Sequence, residues 1–146
     1  MQILSVIYRL AVTFWVGGVA IFTFVLTPII FKVNDRDSAG RIVGTLFPGY
    51  FRWGLACGAL ALVTLAILRG RYSVASIAIL LVMLSLTAFQ GFFIEPRAAA
   101  LKKEIPSFVT TPKDHPLRKQ FSRLHGISAV CNLTVFAGGI ALVVLL

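Results

Sequence analysis

A stripe of polar side chains in the last apolar segment is the strongest candidate for chemistry in this sequence. Five polar residues follow one another there at intervals of three or four positions, which places them on one face of a helix. That face should point toward other helices rather than toward lipid. Cationic, hydroxyl and amide groups so arranged suit a solute, an ion or a proton, but they equally suit hydrogen bonding between helices. The stripe consists of Arg118, Ser122, His125, Ser128 and Asn132.

Polar residues of other apolar segments are expected at the same depth. Gln90 lies five residues before Glu95, and Arg52 opens the second apolar run. A carboxylate at the membrane edge stays charged only beside a cation. Glu95 is therefore expected to pair with Arg52 or Arg118, with a gate or proton acceptor as the alternative. The candidate binding residues are Arg52, Gln90, Glu95, Arg97, Arg118, His125, Ser128 and Asn132.

Cofactor and catalytic signals are weak. The only two cysteines, Cys57 and Cys131, belong to no Cys-x-x-Cys or methionine-rich pattern, so apolar packing is favoured over a soft-metal pair. Haem needs well-placed axial ligands, and His125 is the one histidine expected in the membrane. We see no Ser-His-Asp set and no phosphate loop. No cofactor is predicted, and an enzyme is disfavoured without being excluded.

The composition indicates a membrane protein. Of 146 residues, 58% are hydrophobic and only 13% are charged, whereas soluble domains have about 25% charged residues. Four apolar runs, at about 10–31, 49–68, 72–94 and 124–146, approach or exceed the roughly 20 residues needed to span a bilayer. The sequence therefore predicts an all-α, polytopic bundle of four transmembrane helices in a single domain, 1–146. We expect the first run to be retained rather than cleaved as a signal peptide.

The distribution of charge predicts an orientation. The net charge is +9, and eleven of the fourteen Lys and Arg residues fall on the side of the two long loops. The positive-inside rule then places those loops in the cytosol and both termini outside, in a bacterial inner membrane or its equivalent. Because the basic residues flank apolar runs, we expect anionic lipid headgroups as partners and no nucleic acid.

The loops and small residues carry further expectations. Asp37 or Ser38 is expected to cap a short interfacial helix in the first loop, which Pro48-Gly49 would end. Asp35 and Asp37 are otherwise interpreted as solvated charges, and Arg69-Gly70-Arg71 as a tight outer turn. The second loop is expected to be helical over 96–104, with Pro96 at a first helical position, and irregular after it. A face with Gly54 and Gly58 suits packing inside the bundle or, alternatively, a homo-oligomer.

Three stretches resemble the transmembrane protein 205 family: "LFPGYF", "EPRAAALKKE" and "LRKQFSRLHGISAVCNL". The resemblance covers nearly the whole chain and implies a four-helix integral membrane protein. Animal members are associated with resistance to platinum drugs and with export or trafficking, and no reaction is implied. Gly126 is expected to allow close approach beside His125. The motif positions are Phe47, Pro48, Tyr50, Phe51, Glu95, Pro96, Arg97, His125, Gly126, Ser128, Cys131 and Asn132.

These observations predict a small integral membrane protein with a cytosol-facing polar pocket that transports or binds a small solute or metal. The alternative is a scaffold or assembly factor that transports nothing and engages lipids or partner helices through its basic loops.

Overall fold

The described part of the chain, residues 2–68 and 74–145 of a computed structural model, is helical and contains no strand. Its four long helices are α1 (Gln2–Val33), α2 (Arg36–Ile67), α3 (Val74–Glu104) and α4 (Pro116–Val144). Each is long and apolar enough to cross a membrane, which confirms the predicted all-α class. The helices pack in a closed ring in which consecutive helices are neighbours and α4 returns to α1. The predicted turn Arg69-Gly70-Arg71 lies outside the described residues.

Two helices change their hydrogen-bonding pattern near the same end of the bundle. α1 is π-helical over Ile21–Leu26, and α3 is π-helical over Gln90–Ile94. Each π segment lies just before a proline, Pro28 or Pro96. A proline inside a helix donates no backbone hydrogen bond, and its ring clashes with the carbonyl four residues earlier. The wider π turn accommodates that defect, because the residue before each proline donates to the carbonyl five positions back.

The helices extend beyond the apolar runs at the end where α1 meets α2 and α3 meets α4, here called the loop end. α2 alone has 32 residues, or about 48 Å, against a hydrocarbon core of about 30 Å. The predicted separate interfacial helix is wrong, because α2 continues through Pro48 without a break. Val43 and Phe51 are buried on either side of that proline, and their packing holds the two halves in line.

The link between α1 and α2 differs from the predicted loop. Asp35, rather than Asp37 or Ser38, caps α2 by accepting a hydrogen bond from the Ser38 N–H at 2.9 Å. Asp37 is not merely solvated, since it accepts hydrogen bonds from the Ser107 hydroxyl and the Phe108 N–H, both at 2.6 Å. These bonds tie the start of α2 to the irregular 105–115 segment. As predicted, residues 96–104 are helical.

The core lies toward the end that carries the chain termini. Tyr8, Val12 and Trp15 of α1 are almost completely buried in it, together with Leu80 and Met83 of α3. Many other large apolar side chains are exposed, as a lipid-facing surface requires.

The small-residue face of α2 is filled inside this core. A Cβ atom added at Gly58 would come within 2.6 Å of the Trp15 ring, and one at Gly54 within 2.9 Å of its indole nitrogen. The two glycines therefore let Trp15 of α1 approach the α2 backbone closely. The glycine face therefore packs inside the bundle, which was one of the two alternatives. The homo-oligomer stays a prediction, because a single chain does not test it.

Candidate functional site

Asn132 joins three helices at the centre of the polar stripe. Its amide oxygen accepts a hydrogen bond from the Tyr50 hydroxyl of α2, and its amide nitrogen donates to the Thr23 hydroxyl of α1 at 2.6 Å. Tyr50 also stacks on Phe22, with ring centroids 4.4 Å apart. The stripe of α4 therefore faces the bundle interior at this level, and its side chains contact both α1 and α2.

Ser128, one turn nearer the loop end, reaches the remaining helix. Its hydroxyl donates to the side-chain oxygen of Gln90 at 3.0 Å, and Gln90 is only 1% exposed. Gln90 and Thr23 each belong to a π-helical segment. The hydrogen bond from Ser128 to Gln90 and the one from Asn132 to Thr23 therefore both join α4 to a π segment. π segments of this kind are frequent at functional sites. The π segments were not predicted from the sequence, although Pro28 and Pro96, which follow them, were the available signal.

Three adjoining cavities border the stripe. The loop-end cavity has a volume of about 460 Å³ and is bordered by Arg41, Glu95, Lys102, His125 and Ser128. The central cavity, about 150 Å³, is lined by polar groups that include Thr23, Thr27, Gln90, Ser128 and Asn132. The arginine cavity, about 390 Å³, is lined by Arg36, Lys102, Arg118, Ser122 and His125 among others. Every residue of the stripe thus borders at least one cavity.

His125 stands where the three cavities meet, since it lines all of them. Its imidazole lies nearly parallel to the Phe121 ring, with centroids 6.3 Å apart. Gly126 beside it does not provide the expected close approach, because a Cβ atom there would meet nothing within 4 Å.

Glu95 does not form the predicted ion pair. Among the described residues it makes neither a hydrogen bond nor an ion pair with Arg52 or Arg118, and its favourable electrostatic partner is Lys102. Lys102 lies two turns along the same helix and also donates to the Gly40 carbonyl of α2. Both residues lie on α3, which continues beyond its apolar run. The cation that interacts with Glu95 is therefore Lys102 of the same helix and not an arginine of another helix.

Two of the predicted arginines stand apart from the cavities, while the third lies inside. The side chains of Arg52 and Arg97 are exposed and line none of the three spaces. Arg118, in contrast, is 9% exposed and donates to the Thr111 carbonyl at 2.6 Å. Its guanidinium also lies 5.5 Å from the centre of the Phe108 ring.

The aromatic residues of "LFPGYF" form one wall of the central cavity. Phe47 and Phe51 stack with centroids 5.6 Å apart, and both lie near Tyr50 on the same face of α2. Sequence reasoning missed Thr23 and Lys102. Thr23 stands five residues before Pro28, which was the available signal for it.

The two cysteines are buried free thiols. Cys57 belongs to the core, where it packs among apolar side chains. Within residues 2–68 and 74–145, no three His, Cys, Asp or Glu side chains are grouped so that they could hold a metal ion.

Comparison with known proteins identifies the family. Residues 10–107 match the domain of unknown function DUF4149. The chain belongs to this family. A relative from Aquifex aeolicus (strain VF5), described as an uncharacterized protein, is 29% identical over 130 residues, with 84% of this chain and 81% of the relative covered. No solved structure gives a significant match to the chain. The DUF4149 match ends before α4, so the polar stripe lies beyond the matched region.

Proposed function

We propose that this protein is an integral membrane protein that binds a small solute in the linked cavities at its loop end, as a step in transport. The observation that carries the proposal is the position of the α4 stripe. Ser128 and Asn132 hydrogen-bond to the other three helices, and the stripe borders three adjoining cavities.

Hydrogen bonding between helices accounts for only part of this arrangement. Asn132 and Ser128 have protein partners, but the side-chain oxygen of Thr27 is buried without one. Buried hydroxyls rarely stay unpaired, so such an atom invites a bound water or ligand. Thr27 lines both the central and the arginine cavity, where a bound molecule would supply the missing hydrogen bond.

The proposal includes an orientation. The loop end carries most of the Lys and Arg residues, and the positive-inside rule assigns such an end to the cytosol. The cavities would then open toward the cytosol of a bacterial inner membrane or its equivalent. The resemblance to the transmembrane protein 205 family agrees with a transport role and belongs to the same proposal.

Cysteine accessibility tests whether the cavities are open to water. In a background with Cys57→Ala and Cys131→Ser, a membrane-impermeant thiol reagent should modify Ser128→Cys from the loop-end side of vesicles. Val135→Cys, whose position is 2% exposed, is the matched control on the same helix and should stay protected. Equal protection of both positions from both sides would overturn the open pocket.

Flux measurements separate transport from the scaffold alternative. Proteoliposomes should take up at least one labelled probe from a panel of acetate, inorganic phosphate, rubidium and glycerol faster than protein-free liposomes. Thr27→Val, which removes the buried hydroxyl that has no protein partner, should reduce that uptake. Ser128→Cys labelling without uptake of any probe would favour a binding or scaffold role over transport.

A further inference from the structure

The arginine cavity contains a buried charge without a carboxylate partner. Arg118 is 9% exposed, and arginine is almost never buried this far unless it is paired. All five acidic residues of the chain are described, and none of them forms an ion pair with Arg118. A guanidinium has five N–H donors, and here one hydrogen bond goes to the Thr111 carbonyl. Most of its donors are therefore free to bind a ligand in the cavity.

The charge of the cavity wall is of one sign. Arg36 of α2 and Lys102 of α3 line the same space as Arg118, and no acidic side chain does. An anion placed there would therefore be attracted from three helices at once. Carboxylate and phosphate groups match the planar fork of arginine particularly well, because they accept two parallel hydrogen bonds.

The rest of the wall is apolar and aromatic. Phe31, Phe47, Phe108 and Phe121 line the cavity, whose volume of about 390 Å³ falls within the usual range for small-molecule sites. A simple inorganic anion would leave these rings facing empty space or water. The wall fits a ligand that joins one anionic group to an apolar body.

We propose that the arginine cavity binds an organic anion with an apolar body, and that Arg118 is the main contact for its carboxylate or phosphate group. This inference rests on the proposed function and names the ligand class for it. The same chemistry is offered by a free organic acid and by an anionic lipid, so the test must distinguish these two sources.

Binding of 4-phenylbutyrate to the full-length protein in an uncharged detergent tests the proposal. The acid should bind more tightly than 4-phenylbutan-1-ol, which has the same apolar body without the charge, and more tightly than acetate, which lacks that body. Arg118→Gln should weaken binding of the acid about 10- to 100-fold, the range expected for losing hydrogen bonds to a charged group. Binding of the alcohol should be unchanged.

Arg123→Gln is the matched control, because Arg123 is exposed on the same helix and does not line this cavity. Arg36→Gln provides a second test with an exposed side chain, so the comparison does not depend on the folding of one variant. Equal affinity for the acid and the alcohol, equal affinity for acetate, or unchanged acid binding in both the Arg118 and Arg36 variants would overturn the proposal.

Nanodiscs identify the source of the anion. If phosphatidylglycerol competes with 4-phenylbutyrate where phosphatidylcholine does not, the site takes a lipid headgroup, and lack of competition supports a free organic acid. Failure of this inference is distinct from failure of the proposed function. Labelling of Ser128→Cys reports the open pocket whichever ligand the arginine cavity holds.

Discussion

At the scale of single residues, this bundle combines hydrogen bonds that hold helices together with polar groups that have no structural partner. Asn132 belongs to the first kind, since both ends of its amide are bonded to other helices. Thr27 belongs to the second, since its buried hydroxyl oxygen has no partner. The distinction predicts which substitutions affect stability and which affect binding.

Asn132→Leu should destabilise the bundle. Hydrogen bonds between helices in membranes contribute about 0.6 kcal/mol on average and at most about 1.7, so losing two should cost about 1–2 kcal/mol. Thr134→Val is the control, because the Thr134 hydroxyl bonds only to the Val130 carbonyl of its own helix. The measurement is the free energy of unfolding in mixed micelles. Equal effects of the two substitutions would contradict the structural role of Asn132.

Asp35 should make the start of α2 sensitive to acid. The Ser38 N–H that donates to its carboxylate lowers the pKa of Asp35 below the ordinary value of 3.8. A lowered pKa means that the cap stabilises the helix fully above the ordinary value and loses this effect as the pH falls through the folded-state pKa. After correction for its intrinsic pH dependence, the rate of hydrogen exchange at the Ser38 amide should therefore increase below about pH 4.

The variant Asp35→Asn keeps a capping side chain without the titration. Once the intrinsic pH dependence of exchange is removed, the Ser38 amide of this variant should show no additional change over the same pH range. The same acid-induced opening in Asp35→Asn would mean that another group is responsible.

At the scale of the helices, close packing near the chain termini contrasts with open space at the loop end. Trp15 of α1 fills the face made by Gly54 and Gly58 of α2, so these two helices cannot shift easily in that half. In the other half, the π segments of α1 and α3 border the central cavity, where Thr23 and Gln90 contact α4. One half of the bundle is thus closely packed, and the cavities lie in the other half.

Gly58→Ala should destabilise the protein, although alanine is the better helix former. The new methyl group would lie 2.6 Å from the Trp15 ring, and overpacking of this kind costs about 1–3 kcal/mol. Gly17→Ala is the control, since nothing lies within 4 Å of a Cβ there. The melting temperature in detergent should fall for Gly58→Ala and stay unchanged or rise for Gly17→Ala. A rise in both would mean that Trp15 moves aside without cost.

At the scale of the whole molecule, the charge is concentrated at the loop end, where three of the helices extend past the apolar runs. This end contains Arg41, Lys102 and Lys103 around the loop-end cavity, with Glu95 as the one acidic side chain in its wall. A basic end of this kind fits the cytosolic face of a membrane and the attraction of anions.

The proposed orientation can be measured with single cysteines in the cysteine-free background. Asp37→Cys and Lys113→Cys should be shielded from an impermeant reagent added outside intact cells, whereas Gln2→Cys and Gly70→Cys should react. The reason is the excess of Lys and Arg at the loop end, which the positive-inside rule keeps in the cytosol. The reverse pattern would place the cavities on the outer side.

Local sequence was sufficient to predict the class of the protein, the number of long apolar helices and the polar face of α4. These features depend on local composition, because a run of about 20 apolar residues has few stable alternatives to a membrane helix. The spacing of Ser128 and Asn132 fixes their common face for the same reason, since it follows from helical geometry alone.

Which polar groups meet is set by the packing of the four helices against one another. The partners of Asn132, the bond from Lys102 to the Gly40 carbonyl and the burial of Arg118 depend on how far each helix is rotated and shifted against its neighbours. The continuous α2 and the two π segments were also missed, because a proline signals a local defect while packing on both sides determines whether the helix ends or adapts. Local sequence carries little information about such long-range contacts, and the cavities are their direct result.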